Sequence, residues 1–192
     1  MPEKTVQKEP GKKPAPSKKP KPQQEVVVQI SLSELHPFPD HPFQVREDAS
    51  MQETAESVKE YGVLVPALAR PREDGGYELI AGHRRKHACE LAGLATMPVI
   101  VRDIDRDAAT IIMVDSNLQR ENILPSERAK AYKMKMEAIK RQGARTDLTS
   151  PKNSAKFRSD DEVGQDAGVS GDTIRNYIAL TQLVPELQQM VD

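Results

Sequence analysis

One stretch constrains the fold of this chain more than any other: Tyr77-Glu78-Leu79-Ile80-Ala81-Gly82-His83-Arg84-Arg85-Lys86-His87-Ala88. It reads as a strand, a single glycine, and a helix that opens on consecutive arginines. That succession starts a helix at the end of a strand. Glycine lets the backbone approach an anion, the free amides of a first helical turn point toward it, and guanidinium groups clamp its oxygens in bidentate fashion. Gly82 to Arg85 is therefore a candidate phosphate site, with a solvated basic helix start as the plain alternative.

The neighbouring elements follow from their punctuation. Glu25 to Ser31 is β-branched and alternates poorly, as a buried strand does, and the three prolines of His36 to Phe43 exclude regular structure there. Ser50-Met51-Gln52-Glu53 is a capping box that opens a helix ended by Gly62. Leu64 to Arg70 and Tyr77 to Ala81 flank Asp74-Gly75-Gly76, a hairpin signal. The helix after Gly82 spans about Arg84 to Ala92 and closes at Gly93, and Met97 to Arg102 is a further strand. Asp107 to Leu118 has helical spacing at Ala108, Ile111, Ile112 and Asp115. A longer helix starts with Pro125 and runs to Gly143, with an apolar stripe of Ala129, Tyr132, Met136 and Ile139.

Charge is unevenly spread. The 192 residues carry 28 Lys plus Arg against 29 Asp plus Glu, but residues 1–24 hold seven Lys and two Glu, which leaves an acidic remainder. The same segment has six prolines and only Met1, Val6 and Ala15 as apolar residues. That is too little to offset about 1–2 kcal/mol of backbone entropy per ordered residue, so a disordered tail is expected there. No stretch approaches the roughly 20 apolar residues of a membrane span. The single cysteine, Cys89, and the absence of an apolar leader favour a reducing, cytoplasmic setting.

Residues 128–145 contain seven basic side chains, Arg128, Lys130, Lys133, Lys135, Lys140, Arg141 and Arg145, a candidate DNA-facing surface or else a solvated helix flank. Residues 144–156 read as a linker or loop. Beyond them, Val163, Ala167, Val169, Ile174, Tyr177 and Ile178 are spaced as in a helix-turn-helix. A short helix is expected from about Asp160 to Ala167, a turn at Gly168-Val169-Ser170, and a second helix from Gly171 to about Leu183 capped by Ser170. A helical hairpin that serves packing alone is the other reading. In a reading head, Ser170, Asp172, Thr173, Arg175 and Asn176 would lie near base edges, with Lys133, Lys140 and Arg141 on phosphates. Asp160, Asp161, Glu162 and Asp166 oppose phosphate, so a single copy should bind weakly and two-fold pairing is implied.

A second polar segment, Asp115-Ser116-Asn117-Leu118-Gln119-Arg120-Glu121-Asn122, offers an amide oxygen for a hard cation at Asn117 and a phosphate clamp at Arg120. Taken in order, Gln44-Val45-Arg46, Gly62-Val63-Leu64-Val65-Pro66, Gly82-His83-Arg84-Arg85, Asn117-Leu118-Gln119-Arg120 with Pro125-Ser126-Glu127, and a helix-turn-helix ending in Leu183-Val184-Pro185-Glu186-Leu187 resemble the ParB/RepB partition family from about residue 26 to 192. The resemblance implies a ParB/sulfiredoxin-like α/β N-terminal domain at 25–121 and an all-α DNA-binding domain at 122–192, with the helix-turn-helix at about 160–183. It further implies binding of CTP with Mg²⁺, a palindromic centromere-like site on double-stranded DNA, a homodimer, and a partner segregation ATPase reached through the N-terminal tail. The setting is the cytoplasm, on the nucleoid, in plasmid, chromosome or mobile-element segregation.

Carried over by position, Gln44 and Arg46 lie by the nucleotide, Gly62 and Val63 line its pocket, Gly82, His83, Arg84 and Arg85 form the phosphate turn, and Asn117 and Arg120 serve Mg²⁺ and phosphate. Three positions depart from the family pattern: His83 and Ser116 replace glutamates, and Val65 replaces a glutamine. A carboxylate lost at Ser116 weakens a hard-cation site, so nucleotide binding is expected to outlast turnover and any CTPase activity to be weak. A ParB-like regulator without productive hydrolysis is therefore the second reading, and a nuclease or kinase on the same superfold the third, with only Glu53, Glu56 and Glu60 as loosely placed bases. Metal binding by His83 and His87 is opposed by the intervening Arg84, Arg85 and Lys86. Sulfiredoxin chemistry lacks a cysteine in the turn, since Cys89 lies six residues past His83.

Overall fold

The structure, a computed structural model, describes residues 25–120, 122–146 and 159–192. The expected disordered tail and most of the expected linker lie outside these residues. Five strands form one mixed sheet: β1 (Val27–Ser31), β2 (Leu35–Pro37), β3 (Ala67–Pro71), β4 (Tyr77–Ala81) and β5 (Thr96–Val101), in the spatial order β1-β5-β3-β4-β2. β3 and β4 are the antiparallel hairpin, with Arg70 opposite Glu78, and these two side chains form an ion pair across the strands. β5 runs parallel to β3 and β2 parallel to β4, while β1 closes the far edge antiparallel to β5.

The pleat of β4 explains the layers. Leu79 and Ile80 are both fully buried but point to opposite faces, as successive strand residues must. Leu79 joins Met51 and Val58 of α1 (Ala49–Tyr61) and Ala88 and Cys89 of α2 (His83–Leu91) on one face. Ile80 joins Phe38, Phe43, Ala109, Met113 and Val114 of α3 (Arg106–Leu118), and Ala131 of α4 (Pro125–Thr146), on the other. Each such large side chain withdrawn from water contributes about 1.5–3 kcal/mol. A third cluster joins Tyr132 of α4 to Val163 of α5 (Ser159–Ala167) and Ile174 of α6 (Gly171–Leu180). A short α7 (Pro185–Val191) follows.

Several local expectations are corrected. The valines at 26–28 are exposed because β1 is an edge strand, not a buried one. The prolines do not exclude structure at Leu35–Pro37, since a strand at the sheet edge needs few donors. Asp48 rather than Ser50 caps α1, its carboxylate accepting the Met51 amide at 2.9 Å. The first hairpin strand begins at Ala67, because Val65 and Pro66 face Arg85 with their carbonyls. In α3 the inward face is Ala109, Thr110, Met113, Val114 and Asn117, one position off the expected stripe. The long helix continues past Gly143 to Thr146, and α6 stops at Leu180, three residues early, with Thr181 folding its hydroxyl onto the Ile178 carbonyl at 2.7 Å.

Candidate functional site

Gly82 sits at φ +110° between β4 and α2, and a Cβ there would lie 2.8 Å from the Cβ of Ala67. Only glycine combines that backbone angle with that approach, so α2 begins immediately at the sheet's end. Its first turn carries His83, Arg84 and Arg85 to different places. Arg85 Nη1 donates to the carbonyls of Val65 at 2.5 Å and Pro66 at 2.7 Å, and so fixes the segment from Gly62 to Pro66. Arg84 Nη2 donates to Ser50 Oγ at 3.1 Å and stands 3.9 Å from the Asp48 carboxylate. His83 turns inward.

Two adjoining cavities result, with Ser50 on the wall of both. The larger, about 530 Å³, gathers Gln44, Arg46, Arg84 and Arg120, with Asp48 and Glu127 as its carboxylates. The smaller, about 400 Å³, is lined by Gly62, Val63, Leu64, Val65 and Arg85 on one side and by α1 on the other, where Val58 is accompanied by Ser50, Glu53, Thr54 and Ser57. A cationic chamber thus stands beside a mostly apolar one. The guanidinium groups of Arg46 and Arg120 make no hydrogen bond or ion pair among the described residues. Arg120 has its pKa lowered, first by desolvation and then by the charge of Arg84, with Glu127 acting in the opposite sense. Crowded arginines of this kind are relieved by an anion.

The rings of His83 and His41 lie in contact, centroids 3.9 Å apart and planes tilted by 43°. His41 Nδ1 donates to the Phe43 carbonyl at 2.7 Å, and the Nε2 atoms of both rings are buried without a hydrogen-bond partner among the described residues. Burial, then His41, Arg120 and Lys86, lowers the His83 pKa to about 3, so the ring is neutral and packs the Gly82 turn against His41 of the 38–43 loop.

The structure thus brings Gln44, Arg46, Arg84 and Arg120 together, sets Gly62, Val63 and Arg85 around the second chamber, and leaves Gly82, His83 and Asn117 off both linings. Asn117 is buried and its amide nitrogen donates to the Met113 carbonyl at 2.8 Å, while Ser116 Oγ donates to the same carbonyl at 2.9 Å. The donor set suits Mg²⁺ poorly. Asp48 already caps α1, Glu127 already accepts two amides, and no group of three or more His, Cys, Asp or Glu converges among the described residues. The sequence reasoning left Glu127 out of the site. This buried carboxylate accepts the Gln44 amide at 3.0 Å and the Leu124 amide at 3.3 Å, tying the 44–46 segment to the start of α4. A glutamate two residues after a helix-initiating proline was the available signal.

The helix-turn-helix is formed by α5 and α6. Gly168 takes φ +70° in the turn, and Ser170 Oγ accepts the Thr173 amide at 3.2 Å. Asp172, Arg175 and Asn176 are exposed and Thr173 is half-buried. Arg175 pairs with both Asp160 and Asp172, which raises its pKa and holds its guanidinium along the helix surface. Of the basic α4 residues, Lys130, Lys133 and Lys140 are exposed, Arg141 pairs with Asp107 at 2.8 Å, and Lys135 is buried. Lys135 thus leaves the expected basic face.

Comparison with protein families matches residues 16–118 to the ParB N-terminal domain. The chain belongs to the ParB family. It is 35% identical over 167 residues to the chromosome-partitioning protein Spo0J of Thermus thermophilus, covering 86% of this chain and 55% of that protein. The chain therefore spans about half the length of this curated relative. Among solved structures, C-terminally truncated ParB of Caulobacter crescentus complexed to the centromeric parS site aligns over 84% of this chain and 75% of its own, at 27% identity and a TM-score of 0.54. The same ParB complexed with CTP-gamma-S aligns over 86% and 84%, at 28% identity and a TM-score of 0.46. The ParB fold expected for the N-terminal domain is thus the one observed, and no helix among the described residues is long and apolar enough to cross a membrane.

Proposed function

We propose that this chain acts in DNA partition as a ParB protein whose DNA binding is gated by a nucleotide, CTP. The observation that carries this reading is the paired chamber at the Gly82 turn. Arg46, Arg84 and Arg120 converge there without the carboxylates that would neutralise all three, next to an apolar recess under Gly62 to Val65. A polyanion with a flat, partly apolar end has the complementary chemistry: phosphates on the arginines and the free amides of α2, the base in the recess. Glu127 keeps Gln44 and Arg46 at the rim, and Arg85 holds the recess open through the Val65 and Pro66 carbonyls.

The reading head supplies the DNA role. Asp172, Arg175 and Asn176 are exposed at the start of α6, where recognition helices meet the major groove, with Arg175 held by Asp160 and Asp172, and Lys133 and Lys140 are positioned to meet phosphate. The parS-bound ParB aligned above supports a centromere-like duplex as the target. A homodimer on a palindrome and a segregation ATPase engaged by the basic tail complete the proposal. The donor chemistry around Ser116 and Asn117 favours nucleotide binding over turnover, so we assign no catalytic residue.

Isothermal titration calorimetry with CTP, ATP and GTP tests this. CTP-selective binding that falls at least about tenfold in Arg120→Ala, the loss expected for one charge-assisted phosphate contact, supports the switch. A folded protein that binds none of the three, with or without a parS duplex present, overturns it.

A further inference from the structure

Lys135 lies in the middle of α4 with its side chain 1% exposed, and no other Lys or Arg among the described residues is buried to that degree. Its ammonium donates to Asp115 Oδ1 at 2.6 Å and to Asp166 Oδ2 at 2.8 Å. Burial works against the charge, but the two carboxylates outweigh it and raise the lysine's pKa. Tyr132, Met136 and Ile139 of the same helix pack in the third cluster, while Gln119 and Arg128 border the cavity that the two carboxylates line. A well-packed apolar residue would serve stability at least as well as a buried ion pair, so a lysine here fixes an arrangement.

That arrangement joins the two candidate sites. Asp115 is in the last turn of α3, one turn before Gln119 and Arg120, which line the larger cavity. Asp166 is in the last turn of α5, directly before the turn that caps α6. Asp115, Asp166 and Gln119 also border a separate cavity of about 480 Å³ between α3, α4 and α5. The two carboxylates are 46% and 53% exposed, so either one released from Lys135 remains hydrated. The cluster is a junction that can open on one side without stranding a buried anion.

We propose that Lys135 is a positioning residue that transmits the state of the nucleotide cavity to the DNA-reading helices. The inference rests on the nucleotide reading above. A ligand that draws Gln119 and Arg120 onto its phosphates moves Asp115, alters the hold of Lys135 on Asp166, and reseats α5 and α6. The coupling is a two-state contact shared by both sites, which is what transmission between them requires.

Hydrogen–deuterium exchange on the full chain, with and without saturating CTP, reads this out, and calorimetry reports CTP binding separately. In the native chain CTP is expected to change exchange in α5 and α6 by about threefold or more. Lys135→Met should bind CTP within about threefold of the native chain yet lose that change, and Lys135→Arg should restore it. Asp166→Asn, at a half-exposed position, should likewise lose the change and serves where Lys135→Met does not fold. A native chain that binds CTP without altering α5 and α6, or a Lys135→Met or Asp166→Asn chain that retains the full change, overturns the inference. Absence of CTP binding by the native chain instead defeats the nucleotide reading itself.

Discussion

At Gly82 a single added methyl has two consequences, because its φ of +110° disfavours any L side chain and the new carbon would meet Ala67 at 2.8 Å. Gly82→Ala is expected to destabilise the protein by about 1–3 kcal/mol, measured by urea unfolding, and to weaken CTP binding further by displacing the start of α2. His83 makes a pH-dependent contribution. The unfolded ring titrates near 6.5, whereas the folded ring stays neutral down to about 3. Between these values the unfolded chain binds the extra proton, so the contribution is full above about pH 6.5 and is lost as pH falls toward 3, by at most about 1.4 kcal/mol per pH unit. Urea midpoints at pH 7 and pH 5 should differ, and His83→Gln should reduce the difference. Residue-scale chemistry was only partly legible in the sequence. The sequence offered Arg84, Arg85 and Arg120 alike as phosphate clamps and Asn117 as a cation ligand, and nothing local shows that Arg85 spends its guanidinium on two carbonyls or that Asn117 turns into its own helix.

At the scale of elements, punctuation was the legible part. Gly62, Gly82, Gly93 and Gly168 end or begin helices where positive φ demands glycine, and the hairpin turn at Gly75-Gly76 follows the same rule. Side-chain caps were less so: Asp48 and Ser50 both offer oxygens to the first turn of α1, and which one serves depends on how the incoming loop approaches. Whether β1 is central or peripheral is decided by β5, some seventy residues later, and so cannot be read from its valines. The helix-turn-helix depends on Ile174, which is fully buried against Tyr132 and Val163. Ile174→Ala should cost about 2–5 kcal/mol, with exchange accelerated in α5 and α6 before the sheet is affected. A uniform loss across all elements would show instead that the reading head and the sheet unfold as one unit.

Across the whole molecule, the burial of Lys135 and the hold of Asp160 on Arg175 were beyond sequence reasoning, because the carboxylates involved are 15 to 31 residues away; only the Asp172 partner of Arg175, three residues before it, is local. Arg175 enters any DNA complex already paired with Asp160 and Asp172, so a base edge must compete for it. Arg175→Ala is expected to cost about 1–3 kcal/mol at one base position of a parS duplex and to relax preference there, measured by fluorescence anisotropy across single-base variants. An equal loss on every sequence would make it a phosphate contact.

The one thiol of the chain, Cys89, is fully covered where α2 lies on the sheet, seven residues after Gly82, and burial pushes its pKa up. The molecule thereby contains its own clock. A thiol reagent can react only during the moments when α2 lifts, so the rate of labelling counts those openings, and any ligand that fastens the start of α2 should slow the count without a label having been introduced.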